Sequence, residues 1–194
     1  MRFVILLSAL LFAACKGDAP EPVKELEIFE TNYVVVDEES HIRFSATQEG
    51  LGFTGEFKEF DAKIYFDAAE LDTSRVRVIV PMASFDGGNA DRNSNVPAKV
   101  WFHTKNYPVA MFETQAIRAD VGGYIANGML DLKGRSQPIS LAFTIEQTEG
   151  RAVMTATHRI NRKRWNIGEA PWDTEEYVGL DVMLDIRVVA NQAE

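Results

Sequence analysis

The sequence predicts an all-β fold of antiparallel strands, and three observations carry that expectation. Apolar and polar residues alternate with period two in segment after segment, the pattern of half-buried strands. Turn signals separate these runs at Gly87-Gly88-Asn89, Gly122-Gly123, Lys133-Gly134 and Glu149-Gly150. No helices alternate with the strands, which points to a sandwich or a barrel.

Taken in order, Ile42 and Phe44 oppose His41, Arg43 and Ser45. Ile64 and Phe66 oppose Lys63, Tyr65 and Asp67, and Val76, Val78 and Val80 oppose Arg75 and Arg77. Over 109–117 the alternation is blurred. Leu141, Phe143 and Ile145 share the next face, then Met154, Ala156, His158 and Ile160. The last run sets Val182, Leu184, Ile186 and Val188 against Asp181, Asp185 and Arg187. Seven to nine strands are expected. Two stretches break the pattern: 91–104 has room for a short helix despite Pro97, and Asn161 to Gly168 for a turn of helix.

The chain has 194 residues, 46% of them hydrophobic, enough for one domain with a substantial core. It carries 20 Lys and Arg against 29 Asp and Glu, a formal charge of -9. That field repels nucleic acid, so no nucleic-acid partner is expected.

At the start, Arg2 precedes an apolar run from Phe3 to Phe12 and the small residues Ala13 and Ala14. This is the layout of a secretory signal peptide, and it is shorter than the roughly 20 residues of a spanning helix. Cys15 is the only cysteine, so no intrachain disulfide forms. The segment LFAAC resembles a bacterial lipobox, although Phe12 stands where Leu is usual. Cys15 is therefore the expected lipid anchor, attaching an exported protein to the periplasmic side of a bacterial membrane. Lys16 after it, in place of Asp, favours the outer membrane. Residues 15–30 read as a lipidated N-terminus and tether, following a signal peptide at 1–14 and preceding the domain at 31–190.

Most chemical motifs dissolve on inspection. GLGFTG at 50–55 matches the dinucleotide-binding expression, with Glu70 and Asp72 about 20 residues on, but strand-like text follows it where that fold needs a helix. Its glycines read as a turn or bulge. His41, His103 and His158 stand alone in the sequence, without zinc-ligand spacing. No G-x-S-x-G elbow occurs, and the acidic runs at 37–39 and 173–176 read as solvated charge. No catalytic residue, metal ligand or cofactor is expected. Aromatics say more: Phe44, Phe53, Phe57, Phe60, Phe66, Phe102, Phe112 and Phe143 supply large apolar faces for a core or for an enclosed hydrocarbon. An eight-stranded barrel can hold one small ligand.

The order of motifs resembles the YceI-like family. It is carried by Tyr33 to Asp37 before His41-Ile42-Arg43-Phe44, by Gly55-x-Phe57-x-x-Phe60 leading to Ile64-x-Phe66, and by Tyr107-Pro108 with Phe112. Gly128-x-Leu130-x-Leu132-Lys133-Gly134 with Pro138 and Leu141, and Ile160-Asn161-Arg162, complete it. The chain departs from the pattern at Arg164, Trp165 and Asn166, and after Asp91-Arg92. The resemblance implies an extended eight-stranded antiparallel lipocalin-like barrel with one or two short helices. It also implies a tunnel for an isoprenoid-type lipid, such as an isoprenoid quinone or polyprenyl phosphate, and no enzyme activity.

On that basis Phe44, Phe60, Phe66, Val78, Val80, Phe102 and Phe112 are expected to line the tunnel. Leu130, Leu132, Phe143, Ile160, Trp165, Leu184 and Ile186 join them. His158, Asn161 and Arg162 are expected to meet the head group. A homodimer stays open. The competing readings are a scaffold or stress-related surface lipoprotein with a filled core, and an enzyme acting on a lipid head group.

Overall fold

A computed structural model describes residues 28–193. The expected signal peptide, the Cys15 anchor and the tether up to residue 27 lie outside the described residues.

Eleven strands run β1 (Tyr33–Val35), β2 (His41–Gln48), β3 (Leu51–Phe57), β4 (Asp61–Tyr65), β5 (Arg75–Pro81) and β6 (Phe85–Asp86). They continue with β7 (Val109–Asp120), β8 (Gly123–Leu132), β9 (Arg135–Thr148), β10 (Arg151–Asn161) and β11 (Asp181–Gln192), with one short helix, α1 (Ala90–Asn95). All pairings between these strands are antiparallel. Because β1 pairs with both β4 and β11, eight strands close into a ring in the order β1, β4, β5, β7, β8, β9, β10, β11. The eight-stranded barrel expected from the resemblance is the one observed. After a short 3-10 turn at Asp37–Glu39, β2 continues along the edge of β11 that β1 began, and β3 and β6 extend it into a flap.

Ring closure rests on few bonds. Tyr33 opposite Ile64 is the sole register pair between β1 and β4, and Asn32 supplies the rest. Its backbone N–H donates to the Ile64 carbonyl at 3.0 Å. Its side-chain amide donates to the Phe66 carbonyl and accepts from the Phe66 N–H, both at 2.9 Å.

The blurred alternation over 109–117 has a structural cause. In β7 the register slips between Thr114 and Ala116, leaving Gln115 as an extra residue, a bulge that reverses which parity faces inward. Ala110 and Phe112 line the interior before it, and Ile117 after it. The Thr114 hydroxyl, turned inward at the slip, bonds to the N–H of Val76 at 2.8 Å.

The GLGFTG glycines are not all turn residues. Gly50 occupies the β2–β3 turn at φ +76°, whereas Gly52 and Gly55 lie within β3. At Gly55 the absent side chain makes room for the Phe44 ring, which packs against its backbone. The period-breaking segments behave as expected. The Asn89 side chain caps α1, which ends before Pro97 can remove an N–H from its ladder, and Arg162–Trp165 forms a 3-10 turn.

Candidate functional site

The inward-facing residues enclose a cavity of about 580 Å³ that runs the length of the barrel. Along β11, Val182, Leu184, Ile186, Val188 and Ala190 all face it, eight residue steps that cover about 26 Å. The opposite wall is Val76, Val78 and Val80 of β5 and Phe112 of β7. Two apolar clusters form this lining, one around Met82, Leu132 and Ile160 and the other around Phe66, Leu141 and Phe143, and Phe112 packs against both.

Aromatic rings grade the two ends. Towards the β2–β3 flap, Phe44 stacks on Phe85 at 5.3 Å, and Phe85 meets Phe57 and Phe102 edge-on at 5.8 and 5.7 Å. At the other end Tyr124 stacks on Phe143 at 5.4 Å and meets Phe66 edge-on at 5.1 Å.

Polar lining residues concentrate at the flap end, where Gln48 of β2 faces Asn89, Asp91, Arg92 and Asn95 of α1 and its cap. Arg92 staples these elements together. Its Nε donates to the Gly87 carbonyl at 2.9 Å, its Nη1 donates to Gln48 Oε1 at 3.0 Å, and its guanidinium lies 4.2 Å from the Phe53 ring centre. Asp91 and Arg92 carry opposite charges, so this mouth has little net charge of its own.

A cap over the same end is held by two buried cations. Arg162 donates to the carbonyls of Ile167 and Trp172 at 2.6 Å, Val178 at 2.8 Å, Gly179 at 3.0 Å and Thr174 at 3.1 Å. Lys133 Nζ donates to the Asn166 carbonyl at 2.7 Å and to Glu169 Oε1 at 2.9 Å. That hydrogen bond holds the Glu169 carboxyl below its ordinary pKa.

One inward position from Ile160 at the capped end, His158 on β10 faces the cavity opposite Leu184 in register. Burial lowers its pKa below the usual imidazole value, and the nearby charge of Arg164 lowers it further. A neutral imidazole can both donate and accept a hydrogen bond. Among the described residues no group of three or more His, Cys, Asp and Glu is placed to hold a metal ion.

This geometry accords with the comparison to known proteins. The YceI-like domain matches residues 33–190. The chain belongs to the YceI-like family. YceI-like relatives include a UPF0312 protein of Photorhabdus laumondii, 29% identical over 113 residues, or 57% of this chain and 59% of that one. Another, from Shewanella denitrificans, is 30% identical over 114 residues, covering 57% and 60%. The chain thus spans about 60% of the length of these curated relatives. Among solved structures, Burkholderia cenocepacia BcnA superposes with a TM-score of 0.77 at 29% identity, over 81% of this chain and all of that one. A polyisoprenoid binding domain from Saccharophagus degradans gives 0.66 at 15% identity, over 84% of this chain and all of that domain. Campylobacter jejuni YCEI gives 0.65 at 20%, over 97% of this chain and all of that protein.

Of the YceI-like chain's expected tunnel residues, Phe44, Phe60, Phe66, Val78, Val80, Phe102 and Phe112 line the cavity. So do Leu130, Leu132, Phe143, His158, Ile160, Arg162, Leu184 and Ile186. Three expectations are corrected. Trp165 is fully buried outside the lining, and its indole N–H donates to the Leu130 carbonyl at 2.9 Å. Asn161 also lies outside the lining, its Oδ1 accepting from the Lys163 N–H at 3.0 Å. Arg162 touches the cavity with its donors already committed to carbonyls, which suits it to holding the cap and not to meeting a head group.

Sequence reasoning found the mouth only in part. Gln48, Arg92 and Asn95 carry no periodic signal, and Trp101, Trp172 and Val178 come from irregular segments that only the cap brings to the cavity. The Asp91-Arg92 pair was the one sequence trace of this region.

Proposed function

We propose that this barrel binds and carries an isoprenoid-type amphiphile, an isoprenoid quinone or a polyprenyl phosphate. The tail lies in the cavity and the head meets the polar mouth. The observation that carries this reading is the cavity itself, about 580 Å³ and apolar along its length, with polar side chains gathered at one end. Its size falls in the range of ligand sites, and each tail methylene buried there contributes about 0.8 kcal/mol. The description of the Saccharophagus degradans domain as polyisoprenoid binding supports the same reading. With Arg162 occupied by the cap, Arg92, Gln48 and the neutral His158 are the groups left for the head.

The cavity weighs against a scaffold with a filled core. The N-terminal signal layout and Cys15 support a lipoprotein on the periplasmic side of a bacterial membrane, with the outer membrane favoured by Lys16. Tethering would keep the barrel beside the bilayer that supplies its ligand, raising the effective concentration.

Leu184→Asp and Phe143→Asp test the assignment by placing a carboxylate on the cavity wall. Both variants are expected to lose bound lipid. Retention of lipid by variants whose circular dichroism and unfolding midpoint show a folded barrel would contradict the reading.

A further inference from the structure

Two junctions of the barrel wall are incompletely laddered: the β1–β4 closure, with its single register pair clasped by Asn32, and the mouth-side half of the β9–β10 seam. β9 and β10 pair from Thr148 opposite Arg151 to Thr144 opposite Thr155, and there the register ends. Both strands continue towards the mouth, β9 still paired to β8 as far as Arg135 and β10 to β11 as far as Asn161. From Thr155 to Asn161 the unpaired stretch covers about 20 Å. At its far end Arg164 reaches across, donating from Nη2 to the Pro138 carbonyl at 2.7 Å, and Ile139, Ile160 and Trp165 pack in one cluster.

The seam is thin from both sides. On the inside, Leu141, Phe143, His158 and Ile160 line the main cavity. On the outside, a second cleft of about 310 Å³ lies between the β7–β8 turn at 120–124 and the outward residues Ala142, Thr144, Thr155 and Thr157 that flank the seam where its ladder ends. Widening this stretch breaks no β-ladder, whereas the mouth is framed by the Arg92 staple and by the carbonyls that Arg162 and Lys133 hold.

We infer that the β9–β10 seam is the lateral portal through which the hydrocarbon tail of the cargo enters and leaves the barrel. The inference rests on the lipid-carrier reading, and its test separates the two. In a Cys15→Ser background, which removes the sole cysteine, Ala142→Cys and Thr157→Cys place two thiols on facing, outward positions of the seam. The full chain is bridged with a short bis-maleimide, and the same variant capped with N-ethylmaleimide at both thiols serves as its unbridged control. Decylubiquinone is the probe, followed by quenching of Trp101 and Trp172, both of which line the cavity.

Bridging is expected to slow both uptake and release about tenfold relative to the capped control, leaving the equilibrium affinity unchanged. A bridge across the fully laddered β10–β11 wall, from Thr157→Cys to Asp185→Cys, is expected to leave the rates unaltered. Arg164→Ala, which frees the seam without any crosslink, is expected to speed exchange. Equal rates in bridged and capped protein, or unchanged exchange in Arg164→Ala, would overturn the portal while leaving the carrier reading intact. Failure of the unmodified protein to take up decylubiquinone and a polyprenyl phosphate alike would overturn both.

Discussion

The guanidinium of Arg162 donates to the backbone carbonyl of Trp172 at 2.6 Å, and through this and its other carbonyl partners a buried cation fixes the loop that roofs the cavity. Replacing it with Met leaves several carbonyls without a donor. Arg162→Met is expected to cost about 3 kcal/mol or more in urea unfolding. Lys at this position is expected to rescue little, because an ammonium has three donors and no planar fork. Limited proteolysis should cut both variants within 167–179 well before the wild type.

The Asn32 side chain is the clasp of the ring. Asn32→Ala removes both amide bonds to Phe66 and is expected to lower stability by about 1–2 kcal/mol. Hydrogen exchange at the Phe66 amide should accelerate more than at residues in the β7–β8 ladder, which the clasp does not touch.

Gly55 and Phe44 form a coupled pair. A methyl group at 55 meets the Phe44 ring and the Asp86 carbonyl, so Gly55→Ala is expected to destabilise by about 1–3 kcal/mol. Adding Phe44→Leu should recover part of that loss by vacating the ring's space. A double-mutant cycle in urea measures the coupling.

Much of this architecture was legible in the sequence, and the failures have physical causes. Inward phases at Ile42 and Phe44, at Val76 to Val80 and at Val182 to Val188 follow from period-two alternation, because the cavity-facing residues of these strands are apolar and the outward ones mostly polar. The phase of 109–117 was unreadable because an extra residue at Gln115 carries no compositional mark. Trp165 and Asn161 were misplaced because they sit at and beside a 3-10 turn, where alternation no longer reports direction. The mouth was found only in part because Gln48 and Arg92 are 44 residues apart, and only the fold makes them neighbours.

His158 gives the barrel a pH dependence of definite sign. Its folded pKa lies below the unfolded value, so on acidification the unfolded chain takes up the proton first. Its contribution is fully present above the unfolded imidazole pKa, near 6.5, and is lost as pH falls below it, levelling off once the folded imidazole also protonates. Wild-type stability between pH 8 and 5 should therefore fall more than that of His158→Leu, and a quinone held near this residue should be released over the same window. Parallel stability curves for the two proteins would contradict the placement of His158 in a desolvated wall.

The most direct test of the carrier reading is to purify the barrel without detergent, measure its native mass, extract it with organic solvent and identify what is released. The account predicts about one isoprenoid-type molecule per barrel, or stoichiometric uptake of quinone or polyprenyl phosphate by protein that emerges empty. An empty barrel that takes up neither would contradict it.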